Sequence, residues 1–333
     1  MSHNPVIVIG AGSWGTALAM VLARNGHPVF LWDCESAHIQ KLQQQQSNEQ
    51  YLPGIKFPPA IQPVTDLQKP LTECSDIIIA VPCNGLISVL NLLQDCNGPL
   101  NICLACKGMV SAEEPLNHKT VCQVLHGNAK TAVLSGPSFA MEVAKGLPTA
   151  VTIASEHMAT AEYFSGLFHN EVFRIYTSED IVGVQLGGAL KNVMAIAAGI
   201  ADGLGFGANS RSALITRGLA EITRLGVELG GMPETFMGLA GLGDLILTCT
   251  DDQSRNRRLG LALAQGVALD QARKSIGQAI EGIHTTSEVF KLAQRLSIEM
   301  PISEQVYAVL TGRTDPKTAV QNLLSRDPKQ ELE

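Results

Sequence analysis

The sequence predicts a doubly wound α/β domain with a mostly parallel sheet, followed by an all-α C-terminal domain. Three observations carry that expectation. Short, continuously apolar, β-rich runs alternate with helical stretches through the first 180 residues, the pattern of parallel strands covered on both faces. After about Ser178 no further clear strand is found and helical periodicity takes over. The chain of 333 residues also fits about two domains at roughly 150 residues each. The expected units are 1–180 and 181–333.

The elements follow in order. Val6–Ile9 is the first expected strand and runs into Gly10-Ala11-Gly12-Ser13-Trp14-Gly15. Ala17 to Leu22 continue as a helix that stops near Asn25-Gly26. Val29–Trp32 is the second expected strand and ends in Asp33. Residues 51–59, Tyr-Leu-Pro-Gly-Ile-Lys-Phe-Pro-Pro, are turn-rich and read as a loop. Further strands are expected at Ile77–Val81, Ile102–Ala105, Ala132–Leu134 and Ala150–Ala154, with 172–176 as an edge strand. The connections between them are long enough for crossover helices. Helices are expected at 180–200, 210–230, 254–266, 270–276, 283–296 and 302–310. Gly230-Gly231-Met232-Pro233 and Gly266 read as helix stops.

Composition excludes several classes. Hydrophobic residues make up 45% and charged residues 17%, which is incompatible with a disordered chain. A net charge of −7 argues against a nucleic-acid binder with a broad basic surface, yet leaves room for a small local anion site. Met1 to Pro5 carries no basic run and Val6–Ile9 is too short for a secretory signal. The eight cysteines are scattered, several inside apolar runs, which points to a reducing cytoplasm. Cys103 and Cys106 form one CxxC without a matching second pair, so two packed thiols are expected rather than a redox pair, and no metal site.

One apolar segment tests the membrane question. Val182 to Ile200 is long enough to span a bilayer. It contains Gln185, Asn192, four glycines and, at its midpoint, Lys191. A central Lys costs roughly 2.5–3.5 kcal/mol on insertion, so a buried helix in a soluble domain fits better. That leaves a lone cation on an apolar helix, which needs an explanation.

The glycine-rich turn is the first functional signal. Gly10 permits the tight turn, Gly12 lets the backbone approach a pyrophosphate, and Gly15 lets the helix pack on the strand. Asp33, 18 residues after Gly15, is placed to accept from a ribose 2′-hydroxyl. Strand, turn, helix and acid together predict a Rossmann-like site for NAD or NADP. Asp33 would repel a 2′-phosphate and favours NAD, and Cys34 adds no charge. Lys41 and Lys56 are the remaining cations that can meet a 2′-phosphate.

Other motifs carry chemistry: Cys106-Lys107-Gly108, Gly136-Pro137-Ser138-Phe139-Ala140, Lys191-Asn192, Gly241-Leu242-Gly243-Asp244-Leu245 followed by Thr248, Ser254-Arg255-Asn256-Arg257-Arg258, and Glu281-Gly282. With GAGSWGTALA, YLPG, AVP, CKG, SGPSFA, LKNV, GLGDL and SRNRRLG in order, the chain closely resembles bacterial-type NAD(P)-dependent glycerol-3-phosphate dehydrogenase, nearly end to end. Cys34 stands where that family often has His or Arg, and Ala279 where Val is common. The resemblance implies interconversion of sn-glycerol 3-phosphate and dihydroxyacetone phosphate, feeding glycerophospholipid synthesis. It also implies a homodimer.

The residues suit that chemistry. Lys191 is the proton-transfer candidate, since burial and a nearby cation would lower its pKa toward roughly 7–8. Its bland alternative is a snorkelling side chain. Lys107 can supply that cation and bind a substrate oxygen, and Asp244 can orient both ammonium groups. Ser254 can cap a helix whose free N–H groups face an anion. Arg255 adds a fork matched to phosphate and can also reach the cofactor, with Asn256 beside it. Arg257 and Arg258 extend this field or only meet solvent. By resemblance, Gly136 and Ser138 contact substrate and Ala140 lies beside the nicotinamide. Ser13, Trp14, Lys107 and Glu281 join the cofactor contacts. A β-hydroxyacid-type dehydrogenase with a carboxylate substrate is the rival enzyme reading, against which the Arg-rich segment argues. A non-catalytic NAD(H) sensor would not need Lys191, Asp244 and Arg255 together.

Overall fold

The computed structural model describes residues 4–96, 98–328 and 330. Eight strands form one sheet: β1 (Val6–Ile9), β2 (Val29–Trp32), β3 (Ile61–Val64), β4 (Asp76–Ile79), β5 (Leu100–Leu104), β6 (Ala129–Ser135), β7 (Thr149–Ala154) and β8 (Phe173–Ser178). Their order is β3-β2-β1-β4-β5-β6-β7-β8. β1 to β6 pair in parallel, β7 runs antiparallel to β6, and β8 runs parallel to β7. Strand order reverses at β1 and β4, and ligands of such sheets bind at the carboxyl ends beside that reversal. The turn at Gly10 lies there.

The apolar runs are continuous because each strand serves two layers. Val6 and Val8 pack into one buried cluster, Ile7 and Ile9 into the cluster on the other face. The sequence does not flag β3, because Pro63 interrupts its pattern. β3 is the sheet edge and pairs only with β2, where a residue without an N–H is tolerated.

Beyond Ser178 the described chain is helical. Ile181–Gly203, Ala208–Glu228, Arg255–Ala264, Leu269–Ile276, Glu281–Leu296 and Pro301–Leu310 match the six expected helices. Pro233–Phe236, Asp244–Thr250 and Pro316–Leu324 are additional, as is one turn of π-helix at Leu239–Gly243. The π-turn is closed by Gly243 N–H donating to Gly238 O at 3.1 Å.

Ile181–Gly203 is the axis of this domain. Its length and apolarity would cross a membrane, yet 94% of its apolar window is buried inside the protein. Its glycines are points of close approach. A Cβ at Gly187 would lie 2.6 Å from Ala240 O, and one at Gly199 would lie 2.1 Å from Arg257 O. The helix Arg255–Ala264 reciprocates, since a Cβ on Gly260 would meet Ile196 O at 2.1 Å. Gly199→Ala is therefore expected to lower stability by about 2–3 kcal/mol through overpacking, read as a lower urea midpoint at constant slope. A change within experimental scatter would mean that the two helices separate without cost.

Candidate active site

The dinucleotide loop is built from close packing. Gly10 has φ +108°, and a Cβ there would lie 2.8 Å from the Ala80 backbone. A Cβ on Gly15 would lie 1.9 Å from Gly10 O. A Cβ on Gly12 would meet nothing within 4 Å. The second glycine thus faces open space at the start of the helix Ser13–Arg24, the cradle a pyrophosphate needs.

The Ala11 peptide is held from both sides. Its N–H donates to Asp33 Oδ2 at 2.8 Å. Its carbonyl accepts from Asn48 Nδ2 at 2.8 Å and lies 3.2 Å from His38 Nε2. Asp33 Oδ1 accepts from Glu35 N–H at 3.1 Å. Asp33 is therefore at the end of β2 as its spacing predicts, and it also organises the glycine loop. Ser13 Oγ donates to Tyr51 O at 3.0 Å and reaches Gln278 Oε1 at 3.4 Å. Asn48, His38 and Gln278 carry no motif signal in the sequence, whereas Tyr51 opens the YLPG motif. Lys56 Nζ is engaged with Gln45 O at 3.2 Å.

A second cluster centres on Asp244, which is fully buried. Lys107 Nζ donates to Asp244 Oδ2 at 2.8 Å, to Gly136 O at 2.8 Å and to Ser138 Oγ at 3.2 Å. Lys191 Nζ donates to Asp244 Oδ1 and, at 3.0 Å, to Thr248 Oγ1. Thr248 Oγ1 in turn donates to Asp244 O at 2.6 Å. One carboxylate thus spans two ammonium groups. Lys191 is only 7% exposed. Burial pulls its pKa down to about 8, Lys107 pushes the same way, and Asp244 opposes. Gly187 and Gly188 let its helix approach the π-turn and Ser135, which brings Lys191 and Asp244 together.

The Arg-rich helix starts as the sequence predicts. Ser254 Oγ accepts from Arg257 N–H at 3.2 Å, capping Arg255–Ala264. Arg255 is half-buried, and its guanidinium makes no hydrogen bond with another described residue. Burial lowers its pKa, and Glu281 opposes this. Glu281 has its carboxyl pKa raised by burial, opposed by the Cys83 N–H at 3.4 Å and by Arg255.

Asn256 donates to Asn192 Oδ1 at 2.9 Å and accepts from Gly282 N–H at 2.9 Å. Asn192 donates to Lys107 O at 2.9 Å. These two amides tie together the segments that carry Lys107, Lys191, Arg255 and Glu281. The two cations that follow separate in role. Arg258 is exposed, whereas Arg257 is buried and ion-paired with Asp202 and, at 2.9 Å, with Asp252.

Ala140 opens the short helix Ala140–Lys145 after Gly136 and Ser138. Ser138 Oγ donates to Gly136 O at 2.9 Å. Cys103 is fully buried, and its thiol pKa is raised by burial, which makes it inert. Among the described residues no group of three His, Cys, Asp or Glu is placed to hold a metal.

Two family models match the chain. Residues 5–161 match the family model described as NAD-dependent glycerol-3-phosphate dehydrogenase N-terminus, and residues 180–321 match its C-terminus. A relative from Psychromonas ingrahamii, named glycerol-3-phosphate dehydrogenase, NAD(P)+, is 51% identical over 334 residues, covering 99% of this chain and all of that one. One from Nitrosococcus oceani with the same name is 50% identical over 326 residues, covering 98% and 95%. The crystal structure of glycerol-3-phosphate dehydrogenase from Coxiella burnetii superposes with a TM-score of 0.95 at 46% identity, covering 98% of this chain and 100% of that one.

Proposed function

Because the chain belongs to the NAD-dependent glycerol-3-phosphate dehydrogenase family, we propose that Lys191, with Asp244 and Lys107, handles the proton on the substrate C2 oxygen while Arg255 holds the phosphate. The reaction is the NAD(P)-dependent interconversion of sn-glycerol 3-phosphate and dihydroxyacetone phosphate. The bound dinucleotide supplies or takes up the hydride. Gly10, Gly12 and Gly15 with the start of the helix Ser13–Arg24 would hold its pyrophosphate, and Asp33 its ribose. Ser13, Trp14, Ala140, Glu281, Arg255 and Lys107 would line the rest. Residues 1–180 serve as the cofactor unit, and 181–333 complete the substrate site.

The chain's own groups then act as follows. Lys191, protonated, donates to the C2 oxygen as the ketone is reduced; neutral, it takes the hydroxyl proton as the alcohol is oxidised. Asp244 holds the ammonium and keeps the proton near the reacting oxygen. Lys107 stabilises negative charge on that oxygen, with Gly136 and Ser138 as its neighbours. The cap at Ser254 leaves helix-start N–H groups facing the phosphate, and Asn256 keeps Arg255 in register. The observation that carries this reading is the single buried carboxylate shared by two lysines, one of them with a pKa near 8. The test is a steady-state assay of dihydroxyacetone phosphate with NADH, run beside 2-keto and 3-keto acids of similar size. Faster turnover of a keto acid would replace phosphate by carboxylate in this reading.

Cofactor preference follows from the end of β2. Asp33 is acidic, Cys34 is uncharged, and Lys56 is held by Gln45 O. NADH is therefore expected to serve at least as well as NADPH, compared by kcat/KM. An NADPH preference above about tenfold, or about 1.4 kcal/mol, would mean that Lys41 or another cation reaches the 2′-phosphate.

A further inference from the structure

We propose that the indole of Trp14 is a positioning residue for Lys107, so that the dinucleotide loop sets the aim of the ammonium group in the substrate site. This rests on the reading of Lys107 as the contact to the substrate oxygen. Trp14 Nε1 donates to Ala105 O at 3.1 Å. Lys107 Nζ lies 5.7 Å from the centroid of a Trp14 ring. One half-buried side chain on the first helical turn thus grips the backbone two residues before Lys107 and also faces the end of its side chain. Ala105 is itself anchored, because its N–H donates to Ile79 O at 2.8 Å.

The ammonium needs such a partner. Its three N–H bonds are matched by Gly136 O, Ser138 Oγ and Asp244 Oδ2. A substrate oxygen has to displace one of these acceptors. An aromatic face attracts the cation without using up one of its N–H donors, so the group stays aimed while its acceptors change. The lysine stem is flexible, and the ring is a wall that narrows its orientations. Backbone contact with a pyrophosphate requires no particular side chain at position 14. The indole, which also lines the cofactor site, makes its two contacts here with the Lys107 segment, apart from the backbone N–H groups of the glycine turn.

Trp14→Phe keeps an aromatic face and removes the indole N–H; Trp14→Leu removes both. Each is made alone and with Lys107→Ala, and kcat, KM for dihydroxyacetone phosphate and the calorimetric NADH dissociation constant are measured. Trp14→Phe is expected to lower kcat/KM about threefold to tenfold. Trp14→Leu is expected to lower it about tenfold to a hundredfold. Trp14 also lines the cofactor site, so kcat/KM is compared at saturating NADH, and there neither change should cost more than about twofold once Lys107 is absent. If Trp14→Leu does not fold, Trp14→Phe with and without Lys107→Ala decides the matter alone. An equal loss in both backgrounds, or a loss confined to NADH affinity, overturns the role of Trp14. Wild-type turnover in Lys107→Ala alone overturns the reading of Lys107, and that of Trp14 with it.

Discussion

Lys191→Met is expected to cut turnover by about 10²–10⁴ while the fold and NADH affinity stay close to wild type. Lys191 sits inside the helix Ile181–Gly203, 7% exposed, bonded to Asp244 and Thr248. Met keeps the length and the apolar stem. Asp244 retains Lys107 at 2.8 Å, so it is not left as an isolated buried charge. The swap also removes a cost. A pKa lowered from 10.5 to about 8 means that burial and Lys107 outweigh Asp244, by on the order of 3 kcal/mol. The folded pKa lies below the unfolded one. The penalty is therefore full below pH 8, fades between pH 8 and 10.5, and is gone above. The Met variant should melt at or above the wild-type temperature at pH 7, and its advantage should shrink as pH rises toward 10. A lysine kept only for structure would leave kcat unchanged, and the proton would then pass to Lys107.

The same group sets the pH profile. Ketone reduction needs the ammonium form, so its kcat should fall as pH rises through about 8. Alcohol oxidation needs the neutral amine, so its kcat should rise through the same value. Mirror-image limbs that both vanish in Lys191→Met identify the residue. Limbs that survive the substitution assign the titration elsewhere.

The parts of the molecule differ in how plainly the sequence shows them, for physical reasons. β1 is legible because two layers each demand apolar side chains from alternate positions, so no polar residue interrupts it. β3 is hidden because Pro63, harmless at an edge, looks like a strand breaker. The helix Asp244–Thr250 is hidden because its seven residues make only about two turns, too few to show a period, and the turn before it is rich in glycine. Its π-turn is set instead by packing on Ile181–Gly203. Lys191 is legible as a charge without a neighbour in sequence, and burial with a lowered pKa is the outcome. Arg257 is not legible. Four cationic or amide side chains in a row look alike until Asp202 and Asp252 single out one of them. Asn48 is silent too, since its task, holding the Ala11 carbonyl, lies 37 residues away in sequence.

Arg255→Ala is expected to weaken binding of dihydroxyacetone phosphate by about 2–4 kcal/mol. The guanidinium is half-buried beside Glu281, and no described residue accepts a hydrogen bond from it. A cation that pays for burial without a hydrogen-bonding partner of its own suits a ligand that brings the acceptors. A phosphate dianion matches the fork and also meets the helix start at Ser254. Arg255→Lys keeps the charge and loses the bidentate geometry, so it should fall between Ala and wild type. Arg258→Ala supplies the control: Arg258 is exposed, and its loss should change affinity by no more than about 0.5 kcal/mol. KM for dihydroxyacetone phosphate, its dissociation constant and the NADH dissociation constant are measured on each variant. A loss shared equally by NADH would move Arg255 to the cofactor. Normal substrate affinity in Arg255→Ala would place the phosphate against another part of the cleft.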